Sequence, residues 1–260
     1  MNFKPTIKRA ALPFLVLAAG GMGLTLRVML YTLGLDVRGL LPRYHIFHVL
    51  CLVLTVCVGG ALVLAARRLR GSGRYKANFP RSTVAALGTW AGSLWILTAA
   101  FTMLHRIREP LDLVLAVLAF CAVGCMMVTG SCRFRGKRPN FLYNGLICVF
   151  YACNMVCQYR SWSGNPQLPD YIFHLFACIF LTLTAYYRTA FDLGQGRRGR
   201  FLLCDLMAVY LCFLSMVGAG DGRFYFGSGL WALSNLCALE PPSRTAPRDT
   251  IVIPDLSEGV

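Results

Sequence analysis

Residues 158–200 read QYRSWSGNPQLPDYIFHLFACIFLTLTAYYRTAFDLGQGRRGR. A polar turn carrying Trp162 passes through Pro169 and Asp170 into an apolar run. Tyr186, Tyr187 and Arg188 end that run, and a basic loop with Arg197, Arg198 and Arg200 follows. This is the layout of a membrane-spanning helix: an apolar stretch long enough for the hydrocarbon core, aromatic side chains at each interface and arginines on one side only.

The rest of the chain repeats this layout. Of 260 residues, 57% are hydrophobic and 14% are charged, against about 25% charged in a soluble chain. So much apolar surface does not fit inside one soluble core of this size, and a bilayer is its natural solvent. The net charge of +15 does not indicate nucleic acid, because no separate basic domain carries it. The charges sit in short blocks between apolar runs, as cytoplasmic loops do.

Eight spans are expected: Ala11–Leu35, His45–Ala66, Val84–Leu104, Leu111–Gly130, Phe141–Tyr159, Asp170–Ala190, Phe201–Ala219 and Phe224–Leu239. The first resembles a signal peptide in its basic start, but its apolar run is too long for an h-region and no clean small-x-small site follows, so it is read as uncleaved. Pro241 and Pro242 stop the last. The fold class is therefore all-α, a polytopic bundle of about eight transmembrane helices over residues 1–240. Residues 241–260 form a polar, Pro-containing tail expected to be disordered and cytoplasmic.

Orientation follows from Lys and Arg. Alternate segments hold only Arg38, Arg43, Arg106, Arg108, Arg160 and Arg223, whereas the segments between them hold nearly all the remaining basic residues. The basic segments are assigned to the cytoplasm, giving a multi-pass cell-membrane protein with both termini inside. RLRG at Arg68 and RFRG at Arg133 both open basic loops, which the same rule explains without a duplication. No loop has room for a soluble catalytic domain.

The 12 cysteines lie almost wholly inside apolar runs without a CxxC pair and read as packing residues. Gly88 and Gly92 form a GxxxG, and further glycines at 20, 21, 23, 59 and 60 allow close helix crossings, within the monomer rather than at a dimer seam. No Walker A, Gly-rich nucleotide loop or Ser/His/Asp arrangement occurs, so no cofactor and no catalytic residue is assigned.

Two polar constellations remain. All four histidines fall near the expected outer surface, at the level of Asp36, Glu109, Asp112, Asp170 and Asp221. His45, His48 and His174 have the chemistry to hold a divalent metal or take up protons, although no HExxH-like spacing accompanies them. The second constellation spans the fifth and sixth spans. Asn144, Tyr151 and Gln158 recur every seven residues on one stripe, with Asn154 one turn below Gln158, and Asp170, His174, Thr184 and Arg188 form a stripe on the next span. Polar stripes are costly against lipid, so these two should face inward. Asn154, Gln158, Asp170 and His174 are the expected ligand pocket, with interhelical hydrogen bonding that merely holds the bundle as the competing reading. Arg27 lies roughly 24 Å along a core of about 30 Å and is expected to snorkel to the outer surface, with a buried pairing as the alternative. Asp205 is expected near the inner face, favouring a helix N-terminus or pairing with a basic loop.

The 158–200 string, the RYKANFP loop at Arg74 and the WALSNLCALEPP ending at Trp231 resemble multi-span membrane proteins, uncharacterised in function, of Clostridia-type gut bacteria. The resemblance covers most of the chain and implies only a bacterial plasma-membrane location. Function is thus expected to be binding or transport of a small solute or ion, alone or as a membrane subunit. The alternatives are a scaffold or sensor with a cytoplasmic protein partner, and a membrane-embedded lipid-acting enzyme.

Overall fold

The computed structural model describes residues 4–34, 45–68, 75–105, 107, 110–163, 171–218 and 221–239. Asp170, Asp36, Glu109 and the expected tail at 241–260 lie outside the described residues. The chain is an all-α membrane bundle. Its elements are α1 (Lys4–Leu33), α2 (Ile46–Arg68), the single turn α3 (Tyr75–Asn78), α4 (Thr83–His105), α5 (Pro110–Arg135), α6 (Phe141–Trp162), α7 (Ile172–Asp192), α8 (Arg198–Ser215) and α9 (Gly222–Ala238).

Six of these helices, α1, α2 and α4 to α7, are long and apolar enough to cross a membrane. Their outer faces expose large apolar side chains such as Val56, Leu64, Leu87 and Val117, as acyl-chain contact requires. The two shorter helices are different. α8 carries Arg198, Arg200 and Asp205 in 18 residues and α9 has 17, which gives lengths of roughly 27 and 26 Å. Both lie inside the bundle. α8 is buried almost all round from Cys204 to Ser215, with α1, α2, α7 and α9 against it, while α9 packs on α4, α7 and α8. The sequence packs α5 between α4 and α6, and α6 against α7.

Local chemistry sets the ends. Asn140 caps α6 by accepting from Leu142 N–H at 3.2 Å, and Asp221 caps α9 by accepting from Arg223 N–H at 3.1 Å. The RFRG string is a helix stop: Gly136 takes φ 68°, and Lys137 N–H donates to Cys132 O at 2.9 Å. Gly88 and Gly92 serve packing within the chain. A Cβ on Gly92 would stand 2.7 Å from Gly227 O, and one on Gly227 would stand 2.8 Å from Gly92 O, so α4 and α9 cross nearly backbone to backbone. All twelve cysteines are free thiols.

Candidate functional site

The interior of the bundle is polar at both ends. One end gathers the basic connections: α3, the turn between α5 and α6, and the turn between α7 and α8. It is called the basic end below, and the other the opposite end.

At the opposite end Asn154 is buried and Gln158 half-buried. Tyr225 O–H donates to Gln158 Oε1 at 2.7 Å, and Gln158 Nε2 donates to Asn154 Oδ1 at 3.3 Å. Cys178 Sγ lies 3.8 Å from Asn154 Nδ2 and 3.7 Å from Gln158 Oε1. The polar residues of α6 therefore meet α7 through Cys178, one turn beyond His174. His174 is itself buried, its ring 5.0 Å from that of Tyr225 and 5.8 Å from that of Trp162. Tyr225 and Cys178 were not singled out in the sequence, because a Tyr and a Cys inside apolar runs look like packing.

Three expectations need correction here. His45, His48 and His174 do not assemble. His48 packs edge-on against Phe173 at 5.8 Å and His45 beside Phe47 at 5.1 Å. No group of three or more His, Cys, Asp or Glu that could hold a metal ion exists among the described residues. Arg27 does not snorkel. Its side chain is buried, its guanidinium 5.2 Å from the Tyr31 ring centre and 5.1 Å from that of Phe173, and it donates to Val217 O at 3.2 Å. Two aromatic faces and an open helix-end carbonyl replace the headgroup water. Trp162, read as an interface residue, turns inward and stacks on Tyr171 at 4.6 Å.

Gly218, just beyond α8, packs against this end. Gly218 has φ 126°, and a Cβ there would stand 2.7 Å from Tyr31 Oη and 3.0 Å from both Arg27 Nη2 and His174 Nε2. Both the backbone conformation and the space demand glycine.

The basic end holds what the sequence reading scattered among loops and helix ends. Arg133 of α5 is buried. It donates through Nη1 to Thr89 Oγ1 at 2.7 Å and to Ser234 Oγ at 3.0 Å, and through Nη2 to Asn235 Oδ1. One guanidinium thus ties α5 to α4 and α9. Arg188 of α7 is equally buried. Its guanidinium lies over the Phe79 ring at 3.6 Å, and Nη2 reaches Tyr75 Oη at 3.4 Å. Residues 75, 78 and 79 of the RYKANFP stretch are therefore packed inward as a plug. Its Tyr75 and Phe79 pack with Phe191 and Phe201, and Asn78 accepts from Arg198 Nη1 at 2.9 Å.

Asp192 accepts from Asn144 Nδ2 at 2.5 Å. Asp205, two turns into α8, is fully buried. It neither marks the helix start nor pairs with a loop, which corrects the sequence reading. Its polar and charged neighbours are Asn235, Arg133 and Arg188, yet no hydrogen bond of proper geometry reaches either carboxylate oxygen. Arg188 Nε and Nη1, Arg133 Nε, Asp192 Oδ1, Asn144 Oδ1, Asn235 Nδ2 and the hydroxyls of Thr129 and Thr184 are likewise without a hydrogen-bond partner among the described residues.

Between the two ends, Tyr151 O–H donates to Ser228 Oγ at 3.2 Å. Gln158, Asn154, Tyr151 and Asn144 on α6, His174, Thr184 and Arg188 on α7, and Tyr225, Ser228 and Asn235 on α9 thus mark one seam from end to end, as the two stripes required.

No known protein family matches the chain, and neither a curated protein nor a solved structure does.

Proposed function

We propose that this integral membrane protein binds a small solute or ion and passes it through the bundle interior, alone or as the membrane subunit of a larger assembly. The observation that carries the reading is the polar seam of α6, α7 and α9, which ends in buried charge with unpartnered atoms at the basic end. Such groups are expensive to place inside a membrane and mark solute or ion pathways where they occur. In this reading Asn154, Gln158 and His174, with Asp170, form the mouth at the opposite end. Lys and Arg asymmetry puts the basic end in the cytoplasm with both termini, in a cell membrane. The resemblance noted in the sequence favours a bacterial plasma membrane.

The test is flux. Purified protein in liposomes should accelerate entry of at least one member of a panel of amino acids, organic anions, amines and alkali cations above empty vesicles. A chain that moves none of them is instead a scaffold or sensor with a cytoplasmic partner. Histidines and carboxylates gathered within metal-ligand reach would favour the lipid-acting enzyme; the described residues contain no such group, and Asp36, Glu109 and Asp170 lie outside them. Topology is tested separately: reporter fusions at residues 67–83, 131–140 and 192–200 should all read cytoplasmic, and one reading outside overturns the orientation.

A further inference from the structure

We infer that the corner where the end of α5 meets the start of α4 binds an anionic phospholipid, with the lipid phosphate on Arg81 and the basic turn after α5 and the acyl chains on the adjoining apolar seam. This corner is separate from the polar seam of the bundle interior, and its occupancy does not depend on whether the protein moves a solute.

Two short strings build it. Residues 133–138 read RFRGKR and end α5, and residues 80–84 read PRSTV and begin α4. Packing of α4 on α5 brings the strings together. The stem of Arg81 lies along the Gly136 turn, where an added Cβ would stand 3.3 Å from Arg81 Cβ. The Arg81 guanidinium lies over the exposed Phe134 ring at 5.6 Å. That ring is 6.2 Å from the ring of Trp90, whose indole N–H donates to Met127 O at 3.2 Å. One unbroken line of contacts thus runs from Arg81 through Phe134 and Trp90 to Met127. It covers roughly 10 Å along α5, from the surface of the bilayer into its hydrocarbon.

The cations of this corner are unspent. Arg133 leaves the same string for the interior, and Arg188 and Arg198 also turn inward and are engaged there. Arg81, Arg135, Lys137 and Arg138 are exposed, and their side chains make no hydrogen bond or ion pair among the described residues. The carboxylates described at this end, Asp192 and Asp205, are both buried. No described acidic side chain therefore neutralises the corner from outside. Exposed cations at a membrane surface each strengthen the hold on an anionic lipid about fivefold, and the planar guanidinium of Arg81 suits a phosphate.

The apolar seam decides for a lipid over a soluble anion. Phe134 and Trp90 are the kind of rings that settle between headgroups and hydrocarbon. Beyond them Val84 and Leu87 on α4, and Met127 and Val128 on α5, are exposed. A lipid with its phosphate at Arg81 lays its chains on this strip. Inorganic phosphate or an acidic protein segment leaves the strip uncovered.

The experiment titrates phosphatidylglycerol into the full-length protein in detergent and follows Tm, beside phosphatidylcholine with the same acyl chains and inorganic phosphate. Phosphatidylglycerol should raise Tm by several degrees, and the other two should not. Arg81→Gln should weaken the apparent affinity about fivefold, and adding Arg135→Gln, Lys137→Gln and Arg138→Gln should abolish the shift. Arg197→Gln with Arg200→Gln removes two cations that are equally exposed at the start of α8, and it should leave the affinity unchanged. All six positions are exposed, and Tm without lipid checks that each variant is folded. An equal shift with phosphatidylcholine makes the corner an ordinary lipid contact and overturns the inference. A matching shift with inorganic phosphate makes it a soluble-anion site and does the same. If Arg197 and Arg200 matter as much as Arg81, diffuse surface charge explains the binding and there is no corner site. No shift with any of the three also overturns it.

Discussion

The two ends of the bundle are both polar and both buried, but they are built differently. At the opposite end many of the polar groups satisfy each other, although the buried Ser215 hydroxyl is without a hydrogen-bond partner among the described residues. Tyr225 donates to Gln158, Gln158 to Asn154, Thr102 to Asp221 at 2.9 Å, and Arg27 to a backbone carbonyl. Most of these groups are neutral, and the contacts tie α4 and α6 to α9 and its cap, and α1 to the chain just beyond α8. At the basic end the groups are charged, and only part of their hydrogen-bonding capacity is used. Arg133 serves three partners, whereas no hydrogen bond of proper geometry reaches Asp205 among the described residues. The difference teaches that buried polarity alone does not locate a site. Polarity that closes on itself is an adhesive, and polarity left open is where solute binding is proposed.

Variants can break this comparison. The largest effect should come from Arg133→Leu, which cuts the ties from α5 to α4 and α9 and removes one of the two cations facing Asp205. Removing one partner from a buried charge network costs about 3–5 kcal/mol, and denaturant unfolding in mixed micelles should show it. A loss below about 1 kcal/mol would mean that the network is decorative.

Gly92→Ala lies between the two ends. Its methyl would meet Gly227 O and Trp231 N, both on α9. Overpacking of this kind costs about 1–3 kcal/mol, and the loss should appear as a lower Tm. Unchanged stability would show that α4 and α9 do not cross so closely.

Tyr225→Phe should cost about 1–2 kcal/mol, because it deletes the strongest hydrogen bond to the half-buried Gln158. A neutral result would remove the opposite end from the adhesive class.

Much of the fold was legible because the bilayer imposes a simple rule. Apolar runs near 20 residues long appear where α1, α2 and α4 to α7 do, and the eight expected spans each fall on a described helix with shifted ends, six of those helices being long and apolar enough to cross a membrane. The inward turn of the α6 and α7 stripes was legible for the same reason: Asn144, Asn154, His174, Thr184 and Arg188 are all buried.

What stayed hidden depends on contacts between distant segments. Arg133 looked like a loop charge because it lies at the end of an apolar run, where basic residues normally reach water, and the inward-facing Arg188 was given no cover. The α3 turn covers Arg188 with Phe79 instead, and nothing local in RYKANFP announces that. Arg27 was expected to reach the outer surface, and its actual surroundings were hidden because Phe173 lies far away in sequence. Asp205 was seen but read by its position along the helix, whereas its role depends on which helices surround α8.

The most direct test of the account is Asp205→Asn, measured for both Tm and solute flux on the same preparation. The substitution keeps the shape of a fully buried carboxyl that no hydrogen bond of proper geometry reaches. If the residue serves the proposed solute pathway rather than packing, flux falls roughly tenfold while Tm stays within a few degrees of the parent chain. A Tm lowered by many degrees with flux unchanged would contradict the account and make Asp205 part of the adhesive that holds the bundle.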